Sequence, residues 1–132
     1  MKGYIADIES LTEDNSAFRR VLYTGVHLQL VLMSLTPGQD IGMETHATHD
    51  QFFRIEKGEG KMVIDGVSHK VGPGSAVVVP AGARHNLTNT GDKKLRLYTL
   101  YGPPNHMDHL QVQTKAEAGN LVETFDGVVT EA

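Results

Sequence analysis

Short alternations of apolar and polar residues, separated by turn residues, run from residue 21 to residue 101. This alternation is typical of β-strands that bury one face, and the breaks are rich in Gly, Pro, Asn and Asp, which favour turns. Asp65-Gly66 is the clearest hairpin turn, because both residues tolerate a positive φ. Nine short strands predict an all-β sandwich or barrel of antiparallel strands. The predicted strands are 21–24, 27–35, 43–47, 51–56, 60–65, 68–71, 76–79, 85–89 and 94–101.

The two ends of the chain have a different pattern. Near the N-terminus, Asp7 or Ser10 is expected to cap a short helical turn. Near the C-terminus, 115–118 has helix propensity, and Gly119 would end that helix. The apolar pair at 128–129 could add an edge strand to this chain or to a partner, or it could be frayed.

Composition narrows the class of protein. A chain of 132 residues is most simply one domain, and a hydrophobic fraction of 39% is ordinary for a globular protein. The net charge of −4 without a basic run disfavours nucleic acid and anionic membranes as partners. The sequence shows neither a signal-peptide pattern nor an apolar run long enough for a membrane span, so a cytoplasmic location is the default expectation. There is no cysteine, so a metal would need nitrogen and oxygen ligands.

Four side chains able to supply such ligands lie on three of the strand-like segments. Glu44 and His46 are two residues apart, so on an extended strand they share a face. Gln51 follows at the start of the next segment, and His85 comes after the turn at 80–82. We predict that these four side chains converge on one metal ion.

The spacing of these residues resembles the two motifs of the cupin superfamily. The first motif is matched by Gly38, Glu44, His46, Gln51 and Gly58, and the second by Gly74, Pro80, Gly82, His85 and Asn89. The resemblance, which is to small single-domain bacterial cupins, implies a double-stranded β-helix, or jelly roll, with a metal at the barrel mouth. Its core would be 21–101, with an N-terminal arm at 1–20 and a C-terminal extension at 102–132. It also implies a homodimer, and the edge strand 21–24 and the arm would offer unpaired backbone for that contact.

The ligand set departs from the usual motif, which offers two histidines and a glutamate. If each residue takes the corresponding place, the resemblance implies Glu44, His46, Gln51 and His85 as ligands of one Mn, Fe, Ni, Co or Zn ion. Glu44 could instead orient His46, and Gln51 could bond a metal-bound water. One carboxylate leaves a net positive site, which would attract a carboxylate, enolate or diol oxygen. A glutamine in place of the usual glutamate at this ligand position is also similar to cupins that act on unsaturated uronates.

Other histidines are expected to lie outside the ligand set. A three-residue step along a strand places His49 and His46 on opposite faces, so His49 is expected on a surface loop. His106 and His109 could form a lid near the mouth, but a surface position is favoured for both. His69 is expected to be exposed beside the hairpin.

Further side chains flank the predicted site. His27 and Gln29 share a face of their strand and could either line the barrel near the site or bond to neighbouring backbone. Tyr101 could donate to a substrate oxygen or act as an acid. Arg54 should face away from the ligands and form an ion pair on the sheet surface or at a dimer contact.

The leading functional hypothesis is a metal-dependent enzyme acting on a small oxygenated substrate such as a sugar, uronate or keto acid. The metal would act as a Lewis acid in isomerase, ring-opening or lyase chemistry. Tyr101, or Glu44 if it is not a ligand, would move the proton. The alternatives are an Fe(II)-dependent dioxygenase and a cupin that binds a small molecule or metal without turnover.

Overall fold

The computed structural model describes residues 1–121 and 123–131, and it is built mainly of strands. Two short helices and ten strands follow one another along this part of the chain. In chain order they are α1 (Ile8–Asp14), β1 (Arg19–Thr24), β2 (Gln29–Leu35), β3 (Glu44–Thr45), β4 (Asp50–Lys57), β5 (Gly60–Ile64), β6 (Val67–Val71), β7 (Ala76–Val79), β8 (Arg84–Asn89), β9 (Leu95–Gly102), β10 (Gln111–Val112) and α2 (Lys115–Ala118).

The strands form two antiparallel sheets, which confirms the predicted all-β jelly roll. One sheet has six strands in the order β10-β1-β2-β9-β4-β7, and the other has four in the order β3-β8-β5-β6. Alternate side chains of both sheets fill the space between them. Phe53, Ile55 and Leu97 of the first sheet and Met62 and Leu87 of the second are fully buried there. This apolar core fixes which residues of each strand face inward.

All nine predicted strands are present, although some bounds differ. The predicted strand 27–35 begins at Gln29, and 43–47 shrinks to the two residues of β3. The hairpin turn is confirmed, since Asp65 and Gly66 have φ values of 46° and 81° and join the paired strands β5 and β6.

Both predicted helices are also confirmed. The side chain of Asp7 accepts a hydrogen bond from the backbone N–H of Ser10 at 3.1 Å and so caps α1. The Arg96 side chain donates to the Glu13 carbonyl and ties the end of this helix to β9. At the other terminus, α2 ends with Gly119 as its C-cap residue.

The outer edge of the six-stranded sheet differs from expectation. The edge at 21–24 was expected to offer unpaired backbone, but the Val21 N–H donates to the Leu110 carbonyl at 2.8 Å and the Thr130 N–H donates to the Thr24 carbonyl at 2.9 Å. Just before this edge, β10 pairs with Arg19 and Arg20 of β1. Val128 and Val129 lie beside the Thr130 contact outside any strand of the described chain. The argument for a dimer from this open edge was therefore wrong, and the homodimer stays a prediction. No helix in residues 1–121 and 123–131 has the length and apolar character needed to cross a membrane.

Candidate metal centre

Two of the predicted ligands lie side by side on neighbouring strands of the four-stranded sheet. Strand β3 pairs with β8, and in that register Glu44 lies directly opposite His85. Side chains at directly opposite positions of an antiparallel pair project from the same face. His46 follows two residues after Glu44, just beyond the end of β3.

The side chains of Glu44, His46 and His85 converge. One potential ligand atom from each lies within 4.8 Å of the other two. Glu44 Oε2 is 3.1 Å from His46 Nε2, and the rings of His46 and His85 have centroids 5.5 Å apart. His85 is fully buried, whereas Glu44 and His46 are half-buried. The cluster therefore could hold a metal ion at the boundary between core and solvent.

Gln51 reaches the same cluster from the other sheet. Its Oε1 lies 3.1 Å from His85 Nε2, and its Nε2 donates to Thr99 Oγ1 at 2.9 Å. Gln51 belongs to β4 and Thr99 to β9, and both side chains are buried. The hydrogen bond to Thr99 holds the amide with its oxygen toward His85.

The contacts of His85 test whether a cation fits here. Its Nδ1 lies 3.1 Å from the Ala83 carbonyl oxygen, and its Nε2 faces the Gln51 amide oxygen. Both neighbours are acceptors, whereas a neutral imidazole has a single N–H to donate. A cation between Nε2 and Oε1 would use the lone pairs of both atoms and leave the Nδ1 proton for Ala83. Two ligands that are each about 2.1 Å from one ion can be at most about 4.2 Å apart, and these two atoms are 3.1 Å apart. The donor set thus fits a metal ion.

The comparisons with known proteins show the family to which this chain belongs. The family model described as "Cupin domain" matches residues 31–101, which is more than half of the chain. The chain belongs to the cupin family.

Of two similar proteins from Bacillus species, one is matched over nearly its whole length and the other over about two thirds of it. The crystal structure of BH2720 from Bacillus halodurans superposes on this chain with a TM-score of 0.89 at 40% sequence identity. The match covers 91% of this chain and 96% of the BH2720 chain. The uncharacterised protein YrkC of Bacillus subtilis is 44% identical over 123 residues, which are 89% of this chain. The match spans 66% of YrkC, just under two thirds of its length. The structure of KdgF from Halomonas sp., with a TM-score of 0.63 at 21% identity over 66% of this chain and 78% of its own, shares the fold.

Next to the candidate ligands of this cupin lies a buried pair, Tyr101 and His106. The Tyr101 hydroxyl and His106 Nε2 are 3.2 Å apart, and the Tyr101 ring meets the His46 ring edge-on at 5.8 Å. Burial raises the pKa of the Tyr101 phenol well above its ordinary value. Burial, followed by the nearby charge of Arg19, lowers the pKa of His106 to about 3. The phenol is therefore the proton donor of the pair and the imidazole the acceptor.

Gln29 explains why His106 is buried, contrary to the surface position favoured from sequence. The Gln29 Oε1 accepts from the backbone N–H groups of Asn105 and His106, at 3.1 and 2.9 Å. Its Nε2 donates to the His106 carbonyl at 2.7 Å and to Thr24 Oγ1. Gln29 thus bonds to backbone, as one alternative had it, and ties 105–106 to β2. His27 is exposed in the turn before β2 and does not line the barrel.

The expectation for His49 was right about the loop but wrong about its separation from His46. Residues 46–49 form a loop rather than a strand, so the argument from opposite strand faces does not apply. The His49 ring is half-buried with its centroid 5.8 Å from that of His46, and its Nε2 lies 3.0 Å from the Pro104 carbonyl oxygen. His69 and His109 are exposed, as predicted.

Two arginines lie on opposite faces of the six-stranded sheet. Arg54 alternates with buried residues of β4 and forms an ion pair with Glu56 at 2.8 Å, as predicted. The buried position of Arg19 was not predicted. Arg19 is 5% exposed, and its Nη1 lies 2.6 Å from Glu123 Oε1 beside a cavity of about 200 Å³ that Glu44 also lines. Its two-residue spacing from Val21, which is buried, was the signal in the sequence that Arg19 faces inward.

Proposed function

We propose that this cupin is a metal-dependent enzyme that acts on a small oxygenated substrate, such as a sugar, uronate or keto acid. The reaction class is isomerisation, ring opening or elimination through an enolate. The convergence of Glu44, His46 and His85 on one point, with the Gln51 amide oxygen against His85, is the observation that carries this proposal. These four residues are the proposed ligands of one Mn, Fe, Ni, Co or Zn ion per chain.

The charge of the proposed ligand set supports Lewis-acid chemistry. Only Glu44 contributes a negative charge, so a divalent ion would remain net positive. When bound, such an ion would polarise a substrate oxygen and stabilise the charge that develops on it. The protein surrounds this point with buried side chains, since His85, Gln51 and Tyr101 are 0%, 2% and 1% exposed. Low exposure excludes water and strengthens electrostatic contacts with the substrate.

Tyr101 is the proposed proton donor. Its raised pKa keeps the phenol protonated at neutral pH, and His106 holds the hydroxyl at the barrel mouth. Glu44 is the proposed carboxylate ligand, and it is the proton acceptor if its oxygen is not bound to the ion. Replacement of Glu44 by Gln separates these roles, because a ligand is needed for metal binding and a base only for turnover.

A second candidate is an Fe(II)-dependent dioxygenase. Glu44, His46 and His85 provide two imidazoles and one carboxylate, the ligand types of non-haem iron oxygenases. Gln51, as a fourth protein donor, would leave fewer open positions for O₂, so the Lewis-acid proposal is preferred.

Proton exchange with solvent tests the proposal directly. Metal-loaded protein would be incubated in D₂O, with and without oxygen, with hydroxypyruvate, fructose, galacturonate and an unsaturated uronate. Proton NMR would then follow the loss of signal from the protons on the carbon next to the carbonyl and the appearance of isomers. We expect exchange that is independent of oxygen, lost in His85→Ala and retained in the exposed-site control His69→Ala. Turnover only with oxygen would favour the dioxygenase, and binding without exchange or turnover would favour a non-catalytic cupin.

A further inference from the structure

We infer that Arg19 binds a carboxylate of the substrate, which places the substrates of this cupin among small organic acids. This inference rests on the proposed function, because it assigns the second contact of a molecule whose first contact is the cluster of Glu44, His46, Gln51 and His85.

The burial of Arg19 is the first observation in support. It lies at an inward position of β1, is 5% exposed, and its guanidinium carbon is 5.1 Å from the centroid of the Phe18 ring. Burying a cation is costly unless it is fully paired. Within the described residues, the Arg19 Nε is buried without a hydrogen-bond partner. Its paired contact is Nη1 to Glu123 Oε1 at 2.6 Å. A guanidinium has five N–H donors in a planar fork that matches a carboxylate.

The cavity beside Arg19 reaches one residue of the candidate metal centre, Glu44. Arg19, Glu44 and Glu123 all line this space of about 200 Å³. Lys115 lines it as well, but its ammonium group is paired with Asp40. Apolar walls from Phe18, Ile41 and Ala118 complete the cavity. A molecule that places an oxygen at the Glu44 end would therefore bring a second group to the guanidinium of Arg19.

Glu123 gives Arg19 a carboxylate contact before any substrate arrives. Its backbone carbonyl accepts from the Met107 N–H at 2.7 Å, and Thr124 forms a bridge with His106. These contacts hold the carboxylate of Glu123 at the cavity. A substrate carboxylate would either share the Arg19 guanidinium with Glu123 or displace Glu123 from it. Removing the Glu123 charge should then strengthen the binding of an acid, whereas a purely structural ion pair predicts only lost stability.

Calorimetric titration of zinc-loaded protein with succinate and with succinamate, its monoamide, tests this inference. The two probes differ at one end by a charge, and hydrogen bonds to a charged group are worth about tenfold in affinity. We expect wild type to bind succinate about tenfold more tightly than succinamate. Arg19→Met should remove this preference, and Glu123→Gln should tighten succinate binding. The matched control is Arg20→Met, which removes a positive charge at the adjacent residue and should leave the preference unchanged.

Several outcomes would overturn the inference. Equal affinity for both probes in zinc-loaded wild type, or a preference that survives Arg19→Met, would remove Arg19 from acid recognition while the metal centre stands. Weaker succinate binding by Glu123→Gln would likewise contradict it. A wild type that takes up no metal would reject the proposed function itself. If Arg19→Met does not fold, the double variant Arg19→Met/Glu123→Gln removes both charges together and provides the same comparison of probes.

Discussion

The amide oxygen of Gln51 lies 3.1 Å from Nε2 of His85, although the two residues are 34 positions apart and belong to different sheets. Thr99 fixes the amide from one side, and the Ala83 carbonyl fixes the imidazole from the other. A neutral imidazole has one N–H for the two oxygens that flank it, so one ring nitrogen of His85 faces an oxygen with no proton between them. A cation at Nε2 would remove this mismatch, because the Nδ1 proton could then go to the Ala83 carbonyl, and this is the basis of our account of the site.

Two substitutions of Gln51 should change metal affinity in opposite directions. Gln51→Ala removes one oxygen donor and should weaken zinc binding at least about tenfold, as loss of a metal-orienting group does. Gln51→Glu replaces the amide oxygen by a carboxylate and should strengthen it. Competition with a chromophoric chelator would measure both dissociation constants. Equal affinities in wild type and both variants would exclude Gln51 from the site.

Two motif glycines should differ in their tolerance of alanine. Both have positive φ, +91° at Gly58 and +90° at Gly82, so each substitution incurs backbone strain of about 1 kcal/mol. A Cβ at Gly58 would also lie 2.7 Å from the Lys94 carbonyl oxygen, whereas one at Gly82 has nothing within 4 Å. Urea unfolding should therefore show Gly58→Ala to be less stable than Gly82→Ala by about 2 kcal/mol. Similar losses in both variants would contradict the close approach at Gly58.

His106 should make the folded state sensitive to acid. Its pKa is about 3 in the folded protein, below the ordinary 6.5, mainly because of burial and then the charge of Arg19. The unfolded chain takes up the proton first as the pH falls, so this contribution to stability is present above pH 6.5 and is lost between pH 6.5 and 3. At pH 5 the loss is about 2 kcal/mol.

Urea unfolding of chelator-treated protein between pH 7.5 and 5 would measure this effect. His106→Gln should flatten the dependence of unfolding free energy on pH, and His69→Gln, at an exposed position, should not. A full pH dependence in His106→Gln would show that other groups cause it.

Chelation should lower the stability of the metal-loaded protein. An ion at about a thousand times its dissociation constant adds roughly 4 kcal/mol to the free energy of unfolding. Thermal unfolding before and after exhaustive chelation would detect the change, with metal loss confirmed by elemental analysis. An unchanged melting temperature would argue against a tight site.

The sequence was sufficient for the parts of the fold that depend on local patterns. Strand alternation, the turn at Asp65-Gly66 and the cap at Asp7 are each determined by residues within a few positions of one another. The convergence of Glu44, His46 and His85 was also predictable, because their spacing matches a family motif. Their places across the β3–β8 pair then follow from the shared architecture.

The mistaken expectations concern residues whose positions depend on distant segments. His106 is buried because Gln29, 77 positions earlier, bonds to its backbone, and no local pattern reveals that contact. His49 approaches His46 because β3 ends early and a loop replaces the expected strand. Arg19, for which no expectation was formed, lies beside a cavity that Glu123, 104 positions later, helps to form. The sequence therefore predicted the cluster of Glu44, His46 and His85 and missed part of its surroundings.

Metal content of the purified protein is the most direct measurement of the central claim. Elemental mass spectrometry would be applied to wild type, His46→Ala, His85→Ala and the control His69→Ala, each purified in the same way. Our account predicts close to one divalent ion per chain in wild type and in the control, and loss of the ion in the other two variants. Wild type without metal, even after reconstitution with Mn, Fe, Ni and Zn, would contradict it.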